Sequence, residues 1–459
     1  MTVDRKKKPE PKNELSFQLP KSEQFYLTNG LRVIHILKDK LPLIRLNLMI
    51  NAGGKFDPVN KKGLSYLTSL LLDEGAGGLN ALELSDAFDM LGANFSVSAD
   101  NDLMNINLQT LTDKFENSLE LFSKVLLQPD FNEEDFQREK SKQLTRILQS
   151  KDEPDYLADL IFDRILLGDS SSYSYPLLGF ENTVQSISIE DVKNHYCTFF
   201  SPANSVLISV GDVEKSTLIE LLEIYFSNWS GIKNEISFAN ATKQQNKKIF
   251  IFHKEGSVQT EIRVGHTSEK RNQANFFQRY LLNTILGGQF TSRINLNLRE
   301  RNGYTYGATS RFQYYKDAAF FEVATSVGIE NTANALKEIL FELDNIHNGI
   351  SDTELEFAKS SITKKFPLNF ETYRQIASGL SGKILFDLLE NYFDNYINNV
   401  NAVTKDEVEN AAKKFINNEK LSIILVGDKN LLIEKLVEMQ IEIIEVDMLG
   451  EKISEIKLY

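Results

Sequence analysis

The chain has 459 residues, 42% hydrophobic and 25% charged, so two folded units of roughly 200 residues each are expected and disorder over most of the length is excluded. Asp and Glu outnumber Lys and Arg by 64 to 51, and a net charge of -13 has the wrong sign for gripping a phosphate backbone, so no nucleic acid partner is expected. The single cysteine, Cys197, excludes an internal disulfide and a cysteine-based zinc site.

The first residues, Met1-Thr-Val-Asp-Arg-Lys-Lys-Lys8, carry charge with no apolar stretch behind it. They read as an extension over residues 1–24 rather than a signal peptide. No apolar run approaches 18 residues, so no membrane span is expected. A cytoplasmic location follows, with the periplasm as the alternative had a signal been removed.

Two β-rich runs open the first half, Gly30–Leu37 and Ile44–Asn51. Helical periodicity follows at Leu64–Leu72, Leu82–Leu91, Asp113–Leu127 and Glu133–Gln149. Between these, Asn94–Ser98 and Met104–Gln109 alternate as strands with one solvated face. Periodicity vanishes within 230–247, where Gly, Asn, Lys and Gln dominate, and this stretch reads as a linker. Beyond it, Lys248–His253 and Thr260–His266 match the opening strands.

The second half repeats the first. Ile187–Asp212 aligns without gaps on Val403–Asp428, placing Val192 on Val408, Asn194 on Asn410, Phe199 on Phe415 and Val210-Gly-Asp212 on Val426-Gly-Asp428. The shared pattern is a helix capped near Ser188 or Thr404, a turn, and an apolar strand ending in Gly-Asp. Phe131–Phe136 parallels Ile350–Leu355 at nearly the same offset, each opening a polar helix. Two homologous domains are expected, 25–229 and 248–459. The order β-β-α-α-β-β-α-α predicts an α+β fold, each domain a mainly antiparallel sheet with helices on one face.

Self-contained catalytic chemistry is missing. None of the five histidines shares a helix with another at a spacing of three or four, so no single element offers a two-histidine metal face. His253 and His266 fall on strands predicted to be neighbours, where packing outweighs a metal role. No nucleophile elbow or phosphate loop occurs. Glu74-Gly-Ala-Gly-Gly78 follows a helix and reads as a helix stop. Glu133-Glu134-Asp135 sits at a helix start, where acids complement the macrodipole.

The segments Asn51-Ala-Gly-Gly-Lys-Phe-Asp-Pro58 and Lys62-Gly-Leu-Ser-Tyr-Leu-Thr-Ser-Leu-Leu-Leu-Asp-Glu-Gly75 resemble the signature region of the pitrilysin/insulinase family of zinc peptidases, the inverted zincins. The resemblance runs from about Phe25 to Asp428. In that family a helix carries H-x-x-E-H, and a zinc-ligating glutamate lies about 75 residues further on. Laid on this chain, the pattern places Tyr66 at the first metal histidine, Ser69 at the general base, Leu70 at the second histidine and Arg146 at the third ligand. Two imidazoles one turn apart and a carboxylate base are what such a site needs. These side chains supply none of it, so no zinc is expected on this chain, and Leu70 is expected in the core.

Ser292-Arg-Ile-Asn-Leu-Asn-Leu-Arg299-Glu-Arg-Asn-Gly-Tyr-Thr-Tyr306 resembles the family's arginine–tyrosine element. The resemblance implies that Arg299 and Tyr306 bind the substrate backbone and that the tyrosine stabilises the oxyanion. Arg offers a fixed fork of donors, and a phenol can donate to developing negative charge. Read without the family, Arg299 is a salt-bridge residue and Tyr306 a packed strand aromatic. Tyr304, on the same predicted strand face, is the alternative to Tyr306; the seven-residue spacing favours Tyr306.

The resemblance therefore implies a zinc-free, non-catalytic subunit of a heterodimeric metallopeptidase, inactive alone. Its partner would be a homologous zinc-bearing subunit, and its substrates unfolded peptides in a closed chamber. A purely structural core-type subunit and a peptide-binding shell without catalytic partner are the alternatives. A presequence-recognising processing partner ranks lower, because the stretch Ile285–Phe290 is a short glycine loop.

Overall fold

A computed structural model describes residues 18–232 and 246–456. Most of the predicted extension and linker, 1–17 and 233–245, lies outside the described residues. The helices form where periodicity placed them, at Leu64–Leu71, Ala81–Met90, Phe115–Leu127 and Glu133–Ser150. Glu74–Gly78, read as a helix stop, instead enters a two-residue hairpin, Gly75–Ala76 against Leu79–Asn80. Gly77 and Gly78 take φ of 60° and 82° there, as a tight hairpin turn demands.

Two sheets carry the duplication. The first has six strands in the order Glu23–Tyr26, Arg32–Leu37, Ser205–Gly211, Leu43–Ile50, Met104–Leu111, Asn94–Ala99. The second has seven, and its core runs Lys248–His253, Ser422–Gly427, Gln259–Thr267, Ala319–Gly328, Ala308–Tyr314. In both, the first long strand pairs in parallel with the Gly-ended strand of the repeat, Ser205–Gly211 or Ser422–Gly427, and the remaining neighbours in this core are antiparallel. The capping helices correspond too. Ser188 with Asp191 and Thr404 with Glu407 form reciprocal capping boxes at equivalent places.

The fold is α+β, and each sheet packs its own helices on one face, which form two large cores. The opposite faces are covered by an exchange. Pro154–Leu167 lies on the second sheet, with Phe162, Ile161 and Leu157 against Phe250, Phe320, Ile424 and Val426. Tyr373–Leu385 lies on the first sheet, with Tyr373, Ile376 and Leu380 against Ile34, Ile36, Ile208 and Val210. Both faces of the central strands are thus covered, and Leu43–Ile50 is buried along all but its first residue.

A polar network also crosses between the halves. Lys55 Nζ reaches Asp102 Oδ1 at 2.9 Å and Asp317 Oδ2 at 3.2 Å. The Tyr173 hydroxyl donates to Asp102 Oδ1 at 2.6 Å, and the Lys316 backbone N–H to Asp102 Oδ2 at 2.9 Å. Among the described residues no helix is long and apolar enough to cross a membrane.

Candidate functional site

The helix Leu64–Leu71 is held at its start from three directions. Gly63 precedes it with φ of 97°, and a Cβ there would come within 2.6 Å of the Leu178 carbonyl oxygen. Asp57 supplies the cap from a distance: its carboxylate accepts the Gly63 N–H at 3.0 Å, the Ser65 N–H at 2.9 Å and the Ser65 hydroxyl at 3.2 Å. Burial pushes the Asp57 carboxyl up to about 7, against the opposing pull of Lys62 and these donors. Gln143, on the helix Glu133–Ser150, donates to the Gly63 carbonyl at 3.1 Å and the Leu178 carbonyl at 2.8 Å.

That last contact sets two helices side by side, and the next turn of each brings Tyr66 and Arg146 together. The Arg146 Nη1 donates to the Tyr66 hydroxyl at 2.5 Å. Ser69 is buried, and its hydroxyl donates to the Tyr66 carbonyl of its own helix at 2.7 Å. Leu70 departs from expectation: it is half-exposed and stands outside the apolar core. The side chain projects on the Tyr66 side of the helix rather than toward the buried stripe of Leu64, Leu67 and Leu71. So the positions read as a lost metal site do converge in part, as a phenol, a hydroxyl turned back on its helix, an alkyl group and a fixed cation. A divalent cation does not fit here, because a guanidinium occupies the place of a ligand and no imidazole or carboxylate replaces it. Among the described residues no three His, Cys, Asp or Glu side chains are grouped to hold a metal ion.

Two turns before Arg146, the sequence reading missed a carboxylate pair. Glu139, 3% exposed, shares a hydrogen bond with Glu74, and Arg138 pairs with both. Burial first, then that hydrogen bond, pushes the Glu74 carboxyl up to about 7. The quoted motif contained Glu74, but nothing in its spacing marked Glu139 as its neighbour.

His253 and His266 are not neighbours. The strand Ser422–Gly427 lies between theirs, and its register puts His253 opposite Gly427 but Gly265 opposite Ser422, at the other end. His253 accepts the Lys429 N–H, and His266 accepts the Asn417 N–H. Both serve the backbone.

Arg299 sits in a π-helical turn, Leu296–Arg301, a distortion that often accompanies functional sites. Its guanidinium lies 4.6 Å from the Phe290 ring centroid and 3.4 Å from the neighbouring Glu300 carboxylate. Tyr306 is 94% exposed. Neither it nor Tyr304 is on a strand, as predicted, because Ala308–Tyr314 begins two residues later; both belong to the loop entering it. Tyr304 packs against the second core, which leaves Tyr306 as the phenol free to meet a ligand. Arg299 and Tyr306 are not hydrogen-bonded to one another.

Comparisons with known proteins fall on one group. Residues 33–167 match the family model described as insulinase (peptidase family M16), and 186–362 match the one described as peptidase M16 inactive domain. A relative in Helicobacter pylori named non-peptidase homolog YmxG is 22% identical over 86% of this chain and 92% of its own length. One in Bacillus subtilis, named uncharacterized zinc protease YmxG, is 20% identical over 85% of this chain and 95% of its own. The crystal structure of a peptidase M16 inactive domain from Pseudomonas fluorescens superposes with a TM-score of 0.82 at 24% identity, covering 89% of this chain and 98% of that one.

Proposed function

The chain belongs to the peptidase M16 family, and from that premise we propose that it is the zinc-free partner subunit of a two-subunit metallopeptidase. The observation that carries this reading is the Arg146–Tyr66 hydrogen bond at the positions where the family resemblance calls for metal ligands. A permanent cation there is incompatible with holding zinc, while Arg299 and the exposed Tyr306 remain disposed to work on a substrate held elsewhere. Names borne by relatives point both ways, non-peptidase in one and zinc protease in another, as expected of paired subunits.

In this role the chain binds and orients peptides. Arg299 donates to the backbone of an extended peptide, and the Tyr306 phenol donates to the carbonyl oxygen of the bond being cut as charge develops on it. The hydrolytic metal and its base belong to the partner, a homologous zinc-bearing subunit. Zinc analysis and peptidase assay of this chain, alone and co-expressed with an H-x-x-E-H homologue from the same genome, test the proposal. Activity only in the pair, with one zinc per pair, supports it. A chain that forms no complex and confers no activity is instead a structural subunit or a peptide-binding shell.

A further inference from the structure

A cleft of about 580 Å³ opens among the helix Phe276–Leu286, the helix Tyr373–Leu385 and the segment 386–396. Its walls are aromatic, with Phe276, Tyr280, Phe370, Tyr392 and Phe393 among them. Three cations line it, Arg271, Arg374 and Lys383, and no aspartate or glutamate does.

Among the described residues, none of the three cations is ion-paired with a carboxylate. Arg271 donates to the Tyr392 hydroxyl and lies against the Phe276 ring. Lys383 donates to the Glu390 carbonyl oxygen at 2.7 Å, and feels the Glu390 and Asp394 carboxylates only at longer range. Behind Arg374, the buried Arg45 adds a fourth positive charge; its one side-chain hydrogen bond goes to a neutral partner, Asn107, and its Nε has none. Arg271 and Lys383 are partly buried and Arg45 is buried, while Arg374 is exposed, and burying positive charge without an anion is costly unless something offsets it. In a chain whose net charge is -13, a cleft lined by three cations and by no carboxylate is also not a sample of the average surface.

We propose that this cleft receives the C-terminal residue of a peptide, with its α-carboxylate on Arg374 and an aromatic side chain among the rings. A guanidinium fork takes a carboxylate through two parallel hydrogen bonds. The surrounding rings offer faces and edges for stacking. A terminal aromatic residue presents the carboxylate and the ring on one α-carbon, whereas an internal Asp or Glu presents charge without a ring. The volume is within the range of sites that enclose a small ligand. This inference rests on the proposed peptide-handling role and names its substrate class: peptides with free, aromatic C-termini.

The test uses the full chain and two hexapeptides labelled with fluorescein at the N-terminus, identical in sequence and ending in Phe, one a free acid and one an amide. Fluorescence anisotropy should show the acid binding about tenfold or more tightly than the amide, the loss expected for one charge-assisted contact. In Arg374→Gln the difference should collapse, with a thermal melt showing that the variant folds. Equal binding of acid and amide, undiminished binding in Arg374→Gln, or displacement of the peptide by AMP at lower concentration than by unlabelled peptide would overturn the assignment. The two readings fail separately. A chain that activates a zinc partner but ignores the terminal carboxylate loses only the cleft assignment. One that discriminates acid from amide but never activates a partner loses only the subunit role.

Discussion

Arg146 and Tyr66 stand 80 residues apart in sequence and meet through a hydrogen bond of 2.5 Å between two helices. They occupy the positions that, by family resemblance, would be a metal-ligating carboxylate and a metal-ligating imidazole. Their contact means the backbone still brings those positions within reach of one small group.

Rebuilding that chemistry is therefore a direct test of the geometry. The variant Tyr66→His, Ser69→Glu, Leu70→His, Arg146→Glu should retain about one zinc per chain after dialysis, as a three-ligand site with an open position does. Arg146→Glu alone should not, since one carboxylate without imidazoles is a weak ligand set. Metal analysis by plasma emission distinguishes the two. A rebuilt chain that keeps no zinc would mean that the helices are set too far apart for an ion to bridge.

Tyr306 invites a different experiment because it is so exposed. Tyr306→Phe removes one oxygen from a side chain that contributes almost nothing to packing, so the melting temperature should not move. In the assembled complex, kcat should fall by roughly two to three orders of magnitude, the usual cost of one oxyanion donor. An unchanged kcat would leave Tyr306 a surface tyrosine and return attention to Tyr304.

Much of this arrangement was legible in the sequence, and the part that was not has a common cause. Capping residues such as Ser188 and Thr404, and the alternation in Asn94–Ala99, are local signals, and each produced the element it specified. Strand order is not local. The chain gives no local sign that Ser422–Gly427 inserts between the strands of His253 and His266, which sequence order alone makes neighbours. Leucine in an apolar helix is usually buried, but the outward direction of Leu70 depends on where the neighbouring helices sit. The helix exchange does have a local trace in Arg32–Leu37, where Val33 lies on one face and Ile34 and Ile36 on the other, so something had to cover the second.

That exchange should also hold the two halves together. Phe162 is 1% exposed and meets Phe320 of the second sheet edge-on, with ring centroids 5.5 Å apart. Phe162→Ala should cost about 3–5 kcal/mol, the range for a large aromatic side chain deleted from a core. If the halves unfold as one unit, a single urea transition should shift to lower concentration. Two separated transitions would mean that each sheet keeps its own stability without the borrowed helix.

His195 gives the chain an acid sensitivity whose direction can be worked out. It is fully enclosed, its ring packs 4.8 Å from Phe199, and its Nε2 is 3.2 Å from the Ala52 carbonyl oxygen at the turn leading toward the helix of Tyr66. Burial pulls its pKa down to about 4, against an ordinary value of 6.5, with the Ala52 hydrogen bond opposing weakly. Between those two values the unfolded chain binds a proton that the folded chain refuses, so stability rises with pH. The contribution is fully present above 6.5 and lost as pH falls toward 4, amounting to about 3 kcal/mol across the window. Urea denaturation at pH 7 and pH 5 measures it. His195→Gln keeps a donor for Ala52 but cannot titrate, so its midpoint should change less between the two pH values than that of the parent chain. An equal change in both would assign the acid sensitivity to other groups.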